Sequence, residues 1–184
     1  MTDQSTLGIG TTVVTQIGIV VRDIDKTSRA WADVFGVPVP PVIITDDLDK
    51  AHTEYQGQPS TARAKLSFLH FGQVSIEFIE PVGMPSTWQD FLNAHGEGVH
   101  HIAFQIKGMP EQIAYLASKD VPLIQRGDYT GGRYAYLDGE PNLAVILELL
   151  ENFNSANSGE KTRFYNAGCD LWRVEIGLAD VWKT

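Results

Sequence analysis

The chain has 184 residues, 43% of them apolar and 20% charged, the make-up of a folded protein with room for one compact domain or two small fused modules. Its net charge of -9, with no run of Lys or Arg, argues against a phosphate-tracking nucleic-acid surface. No apolar stretch approaches the ~20 residues that cross a bilayer, residues 1–10 lack a basic-then-apolar leader pattern, and Cys169 is the only cysteine. We therefore expect a soluble cytoplasmic protein with neither nucleic acid nor membrane as partner.

After a polar arm over residues 1–11, the β-branched run at 13–22 predicts a strand. A helix follows over 25–35, with Asp25 as its cap and Gly36 and Pro38 as its stop. Strands are predicted at 42–45, 64–71 and 74–79, the last two separated by Gly72-Gln73. Between the first two lies a long polar loop. Residues 85–97 read as a linker helix capped by Ser86 or Thr87, with Trp88, Phe91 and Leu92 on its apolar face. The pattern then recurs: a strand at 99–106, a helix at 110–119 with Pro110 in its first turn, and strands at 123–125, 133–137 and 144–150. Gly131-Gly132 in the segment 127–132 suggests a lip over a cavity. Residues 153–184 fall outside the pattern, and Phe164, Tyr165, Leu171, Trp172, Val174, Ile176 and Trp182 make them too apolar for a free tail.

Two units of the form β-α-β-β-β result, over residues 12–84 and 98–152. Gln16-Ile17-Gly18-Ile19 aligns with His101-Ile102-Ala103-Phe104, and Ser75 to Glu80 aligns with Ile146 to Glu151. Each unit thus opens its first strand on a polar residue and carries a glutamate inside its last.

Side chains alternate between the faces of a strand, so Glu77 opposes Ile76 and Phe78, and Glu148 opposes Leu147 and Leu149. A carboxylate inside an apolar strand is costly unless it is solvated, paired or bound to a cation. One wet sheet face explains either glutamate alone. Their repetition asks for more. Two related units packed edge to edge bring Gln16, Glu77, His101 and Glu148 together across a pseudo-two-fold axis. One imidazole nitrogen and three side-chain oxygens suit a divalent metal with open positions for water or substrate. His100, one position before, faces the other way, in an outer role. His70 reads as a packing histidine, and His52 and His95 as loop or helix-end residues. Glu54 reads as a solvated loop residue. Lys65, Arg126 and Arg133 are surface charges by default, though each has the chemistry to grip an anion.

These segments (Gly98 to Phe104, Ile76 to Pro81 and Ile146 to Leu149) resemble the vicinal oxygen chelate, or glyoxalase/bleomycin resistance/dioxygenase, superfamily over about residues 12–152. Their texture is most similar to methylmalonyl-CoA epimerase, except that Gln16 stands where that enzyme has histidine and resembles the zinc-type glyoxalase I pattern. The resemblance implies an α+β fold in which two βαβββ modules form a curved, barrel-like mixed sheet around a metal cavity. It implies one divalent ion (zinc, nickel, cobalt or manganese) on Gln16, Glu77, His101 and Glu148. It also implies a homodimer.

The chemistry implied is removal of a proton beside a carbonyl, with Glu148 as first candidate for the base and Glu77 as second. That makes the chain a metal-dependent isomerase, epimerase or lyase acting on a small carbonyl compound or thioester. The rival is a non-catalytic small-molecule binding or resistance protein of the same fold, against which the retained glutamates and histidine count.

Overall fold

The computed structural model describes residues 8–153. The expected packing role of the apolar residues beyond them lies outside the described residues. The first unit contains β1 (Val14–Val20), α1 (Ile24–Phe35), β2 (Ile43–Ile44), α2 (Leu48–Ala51), β3 (Glu54–Tyr55), β4 (Gln58–Pro59), β5 (Arg63–Phe71) and β6 (Val74–Val82). Helix α3 (Thr87–His95) leads to β7 (Gly98–Gln105), α4 (Met109–Ala117), β8 (Leu123–Tyr129), β9 (Gly132–Leu137), α5 (Glu140–Leu143) and β10 (Ile146–Asn152).

All ten strands join one sheet in the order β2-β5-β6-β1-β7-β10-β9-β8-β3-β4. In each unit the first strand runs parallel to the last, β1 beside β6 and β7 beside β10. The units meet where β1 pairs antiparallel with β7, and the sheet curls into a half-barrel. A parallel pair needs a crossover, and α1 and α4 provide the two.

The strands bury both faces. Phe78 packs with Val21, Ile24 and Leu69 against α1, while Leu147 and Leu149 pack with Met109 and Leu116 of α4. Each such side chain, when fully buried, contributes on the order of 1.5–3 kcal/mol. The opposite face carries Val20, Ile79 and Ile146, which pack with Trp88 and Leu92 of α3 and with Tyr136 of β9. By alternation, Glu77 shares this second face with Ile79, and Glu148 shares it with Ile146.

The aligned glutamates Glu80 and Glu151 prove to be a repeated lock. Glu80 accepts from the Ile24 amide at the start of α1 (2.9 Å) and from Lys65 Nζ (2.6 Å). Glu151 accepts from the Gly108 and Met109 amides at the start of α4 (2.5 and 3.3 Å) and from Arg133. Each carboxylate satisfies amides that a helix leaves unpaired and ties the helix to the last strand of its own unit. Lys65 and Arg133 are therefore committed to this lock.

Several expected boundaries move. Asp23, not Asp25, caps α1: its backbone is extended and its side chain accepts from the Lys26 amide, while Asp25 falls in the first turn. The polar loop folds into the β3–β4 hairpin, which turns at Gln56-Gly57 and crosses to pair with β8 of the other unit. Two-residue strands are too short for an alternation signal. The supposed lip is also strand: β8 runs through Gly127 to Tyr129 and turns directly into β9. A side chain at Gly127 would collide with the ring of Tyr134, so glycine here admits a crossing aromatic ring.

Candidate metal centre

Register at the unit junction assembles the site. Gly18 is flanked by Glu77 on β6 and His101 on β7, while Ala103 is flanked by Gln16 on β1 and Glu148 on β10. The pseudo-two-fold axis thus relates Gln16 to His101, Glu77 to Glu148, and Gly18 to Ala103. All four polar side chains share the α3 face of the sheet.

The structure brings the four together. Oxygen atoms of Glu77 and Glu148 and a ring nitrogen of His101 all lie within 4.8 Å of one another. His101 Nε2 is 3.1 Å from Glu148 Oε2 and 3.5 Å from Glu77 Oε2, and all three residues are buried. Gln16 Nε2 donates to Glu77 Oε2 (2.6 Å) and lies 3.5 Å from Glu148 Oε2. A half-turn of that amide presents its oxygen to the same point.

Two buried carboxylates pointing at one spot repel each other and lose hydration. Among the described residues, no Lys or Arg pairs with either. Burial pushes the Glu148 carboxyl up to about 8, against an opposing hydrogen bond from Tyr136. Glu77 rises well above the ordinary range, first through burial and then through the charge of Glu148, with the Gln16 bond pulling the other way. Burial drives His101 down to about 3, so its ring is neutral near pH 7. Nε2 of that ring has no hydrogen-bond partner. A neutral imidazole with an orphaned Nε2, flanked by two carboxylates short of a counter-charge, fits a divalent cation in charge and in donor type.

Neighbouring residues hold these groups. A side chain at Gly18 would fall inside the imidazole ring of His101, so glycine is what lets the ring lie across β1. The Tyr136 hydroxyl accepts from Trp88 Nε1 (3.2 Å), Tyr136 sits opposite Glu148 in the β9–β10 pairing, and its ring lies 5.0 Å from that of His101. Sequence reasoning gave no role to Gly18 or Tyr136 and assigned Trp88 to an apolar face. The available clue was Gly18 opposite Ala103 in the repeat, a small residue twice in otherwise bulky strands.

The other candidates stay apart from the centre. His70 lies exposed beside Ser75, not packed in the core, because β5 reaches solvent near its turn. His52 ends α2 and pairs with Asp128, and His95 ends α3. Glu54 receives two hydrogen bonds from Arg126 (2.9 and 2.8 Å), a cross-strand pair that fastens β3 to β8. A cleft of about 490 Å³ lined by Gln105, Lys107, Gln112 and Asn152 includes none of the four central residues.

The model of the glyoxalase/bleomycin resistance protein/dioxygenase superfamily matches residues 15–136. The chain belongs to this superfamily. A stretch of 92 residues, 48% of the chain, is 33% identical to the uncharacterized protein YqjC of Bacillus subtilis and spans 66% of that protein. Methylmalonyl-CoA epimerase from Mycobacterium tuberculosis superposes with a TM-score of 0.56 at 21% identity, covering 82% of this chain and 92% of that one. A variant of Streptomyces coelicolor methylmalonyl-CoA epimerase, in complex with 2-nitronate-propionyl-CoA, gives 0.51 at 25% identity over 76% and 96%. Among the described residues of this superfamily member, no helix is long and apolar enough to cross a membrane.

Two outcomes follow from the centre. Glu148 has its folded value raised above the ordinary 4.5, so its contribution to stability is present below pH 4.5 and lost as pH rises through about 8. In chelator, thermal unfolding scanned from pH 5 to 9 should show a falling Tm, with a shallower fall in Glu148→Gln; equal slopes would contradict the buried-carboxylate reading. Gly18→Ala should displace the His101 ring and weaken divalent-ion affinity at least about tenfold, the scale on which misplaced ligand geometry acts. Isothermal titration with zinc checks this, and unchanged affinity counts against the close approach.

Proposed function

We propose that this protein is a divalent-metal-dependent isomerase, epimerase or lyase that moves a proton beside the carbonyl of a small carbonyl compound or thioester. The observation that carries the reading is the convergence of Glu77, Glu148 and a free imidazole nitrogen of His101 in one buried spot. Glu77, His101 and Glu148 would hold the ion, with Gln16 as a fourth, weaker oxygen donor. When bound, the ion supplies Lewis-acid polarisation of a carbonyl oxygen.

Glu148 is the proposed base and Glu77 the second. A carboxylate raised toward neutrality in a buried site both accepts and returns a proton near pH 7. Tyr136, anchored by Trp88 and paired opposite Glu148 across β9 and β10, would help hold that carboxylate in place. Glutamates related by a pseudo-two-fold suit an epimerase, in which a proton leaves one face of a carbon and returns to the other. The likeness to methylmalonyl-CoA epimerases supports an acyl-CoA thioester as the first substrate to try. Gln16, similar to a glyoxalase I ligand, supports a glutathione hemithioacetal as the second. A cytoplasmic homodimer completes the proposal, and light scattering of the purified protein tests its assembly.

The decisive assay is solvent-deuterium incorporation by the metal-loaded protein, with methylmalonyl-CoA and the methylglyoxal–glutathione adduct as substrates. Incorporation should occur with one of them and fall about 10²–10⁴-fold in Glu148→Gln, the usual scale of a lost general base. Metal analysis accompanies it: no stoichiometric divalent ion after supplementation defeats the proposal. Tight ligand binding without exchange, unchanged in Glu148→Gln, would mark a binding protein instead.

A further inference from the structure

Behind the imidazole of the centre stands a second imidazole. His100 is buried like His101, and the two rings meet at 84° with Nδ1 atoms 3.0 Å apart. The other nitrogen of His100, Nε2, faces Thr87 Oγ1 at 3.2 Å. Phe91 and Tyr136 each present their rings edge-on at 5.3 Å, so His100 is gripped on its remaining sides. Thr87 is fixed in turn, because its amide donates to Gln125 Oε1 (2.9 Å) in the first turn of α3.

Two facing ring nitrogens at 3.0 Å must hold one proton between them. With none, two lone pairs oppose each other; with two, the N–H groups collide. Both rings are buried, and a charged imidazolium is costly there. The surroundings of His101 decide the direction. Its Nε2 has no hydrogen-bond partner, so its proton is satisfied only at Nδ1, and Thr87 Oγ1 is placed to accept from His100 Nε2. His100 therefore carries its proton on Nε2 and offers a lone pair at Nδ1. His101 must donate from its own Nδ1.

That arrangement leaves His101 Nε2 bare. The nitrogen faces Glu148 Oε2 and Glu77 Oε2, yet neither oxygen is in line for a hydrogen bond. A proton there would be unsatisfied, whereas a lone pair there is what a cation requires. We propose that His100 is a positioning residue that fixes His101 as its Nδ1–H tautomer and so aims a free Nε2 lone pair between Glu77 and Glu148. The assignment rests on the metal-centre reading and says how the sole nitrogen ligand of that centre is kept ready.

The test compares wild type with His100→Phe, which removes the acceptor, and His100→Asn, whose Oδ1 replaces the Nδ1 lone pair. Zinc affinity is read by chelator competition. The His101 tautomer is read by two-bond ¹H–¹⁵N correlation in metal-free and zinc-loaded protein. We expect Nδ1–H on His101 in both wild-type states, zinc binding about 10–100-fold weaker in His100→Phe, and most of the affinity restored in His100→Asn. Wild-type affinity in His100→Phe, or a proton on His101 Nε2 in the wild type, overturns the assignment. Should His100→Phe not fold, the wild-type tautomer decides. A wild-type protein that binds no zinc defeats the metal-centre reading instead, and the metal-free tautomer still settles the role of His100.

Discussion

Two carboxylates and one imidazole share a buried spot at the junction of two half-sheets, and like charges do not gather in such a place without compensation. Their mutual repulsion and lost hydration have to be met by protons, by hydrogen bonds or by a cation. Hydrogen bonding meets only part of it: Gln16 reaches Glu77 closely and Glu148 at 3.5 Å, while His101 Nε2 finds nothing. Much of the surrounding fold makes sense as the means of keeping these groups together. Gly18 clears space for the imidazole, and Trp88 steadies Tyr136 from α3.

The same two-unit plan that builds the centre also braces it. Glu80 and Glu151 lie three positions beyond Glu77 and Glu148 on the same strands and fall on the opposite face, where each binds the start of its unit's helix. One strand segment therefore supplies a buried carboxylate of the proposed centre and a structural one in each unit. The β3–β4 hairpin adds a link the symmetry does not contain, because it leaves the first unit and pairs with β8 of the second through Glu54 and Arg126. The two units are joined there and along β1–β7.

Much of this was legible in the residues themselves. Alternation and repetition located the strands that carry Gln16, Glu77, His101 and Glu148, because a polar residue inside an apolar strand stands out in both copies. What stayed hidden depends on contacts between distant segments. Tyr136 reads as one more strand aromatic until its hydroxyl is seen to accept from Trp88 and its ring to lie against His101. Gly18 reads as a weak strand residue until the His101 ring fills its space. His100 was expected to face away from the centre, yet the register shift that skips it between His101 and Val99 lets its ring pack on the same α3 face, where its Nδ1 reaches the ring of His101. The hairpin at 54–59 escaped because its strands are two residues long and its partner lies in the other unit.

An anomalous-difference map from a crystal of cobalt- or zinc-loaded protein tests the centre most directly. One strong peak per chain is expected, within about 2.0–2.2 Å of His101 Nε2 and of an oxygen from each of Glu77 and Glu148. A peak that leaves out His101 Nε2, or no peak between the two glutamates in metal-replete crystals, would contradict a metal centre at this junction.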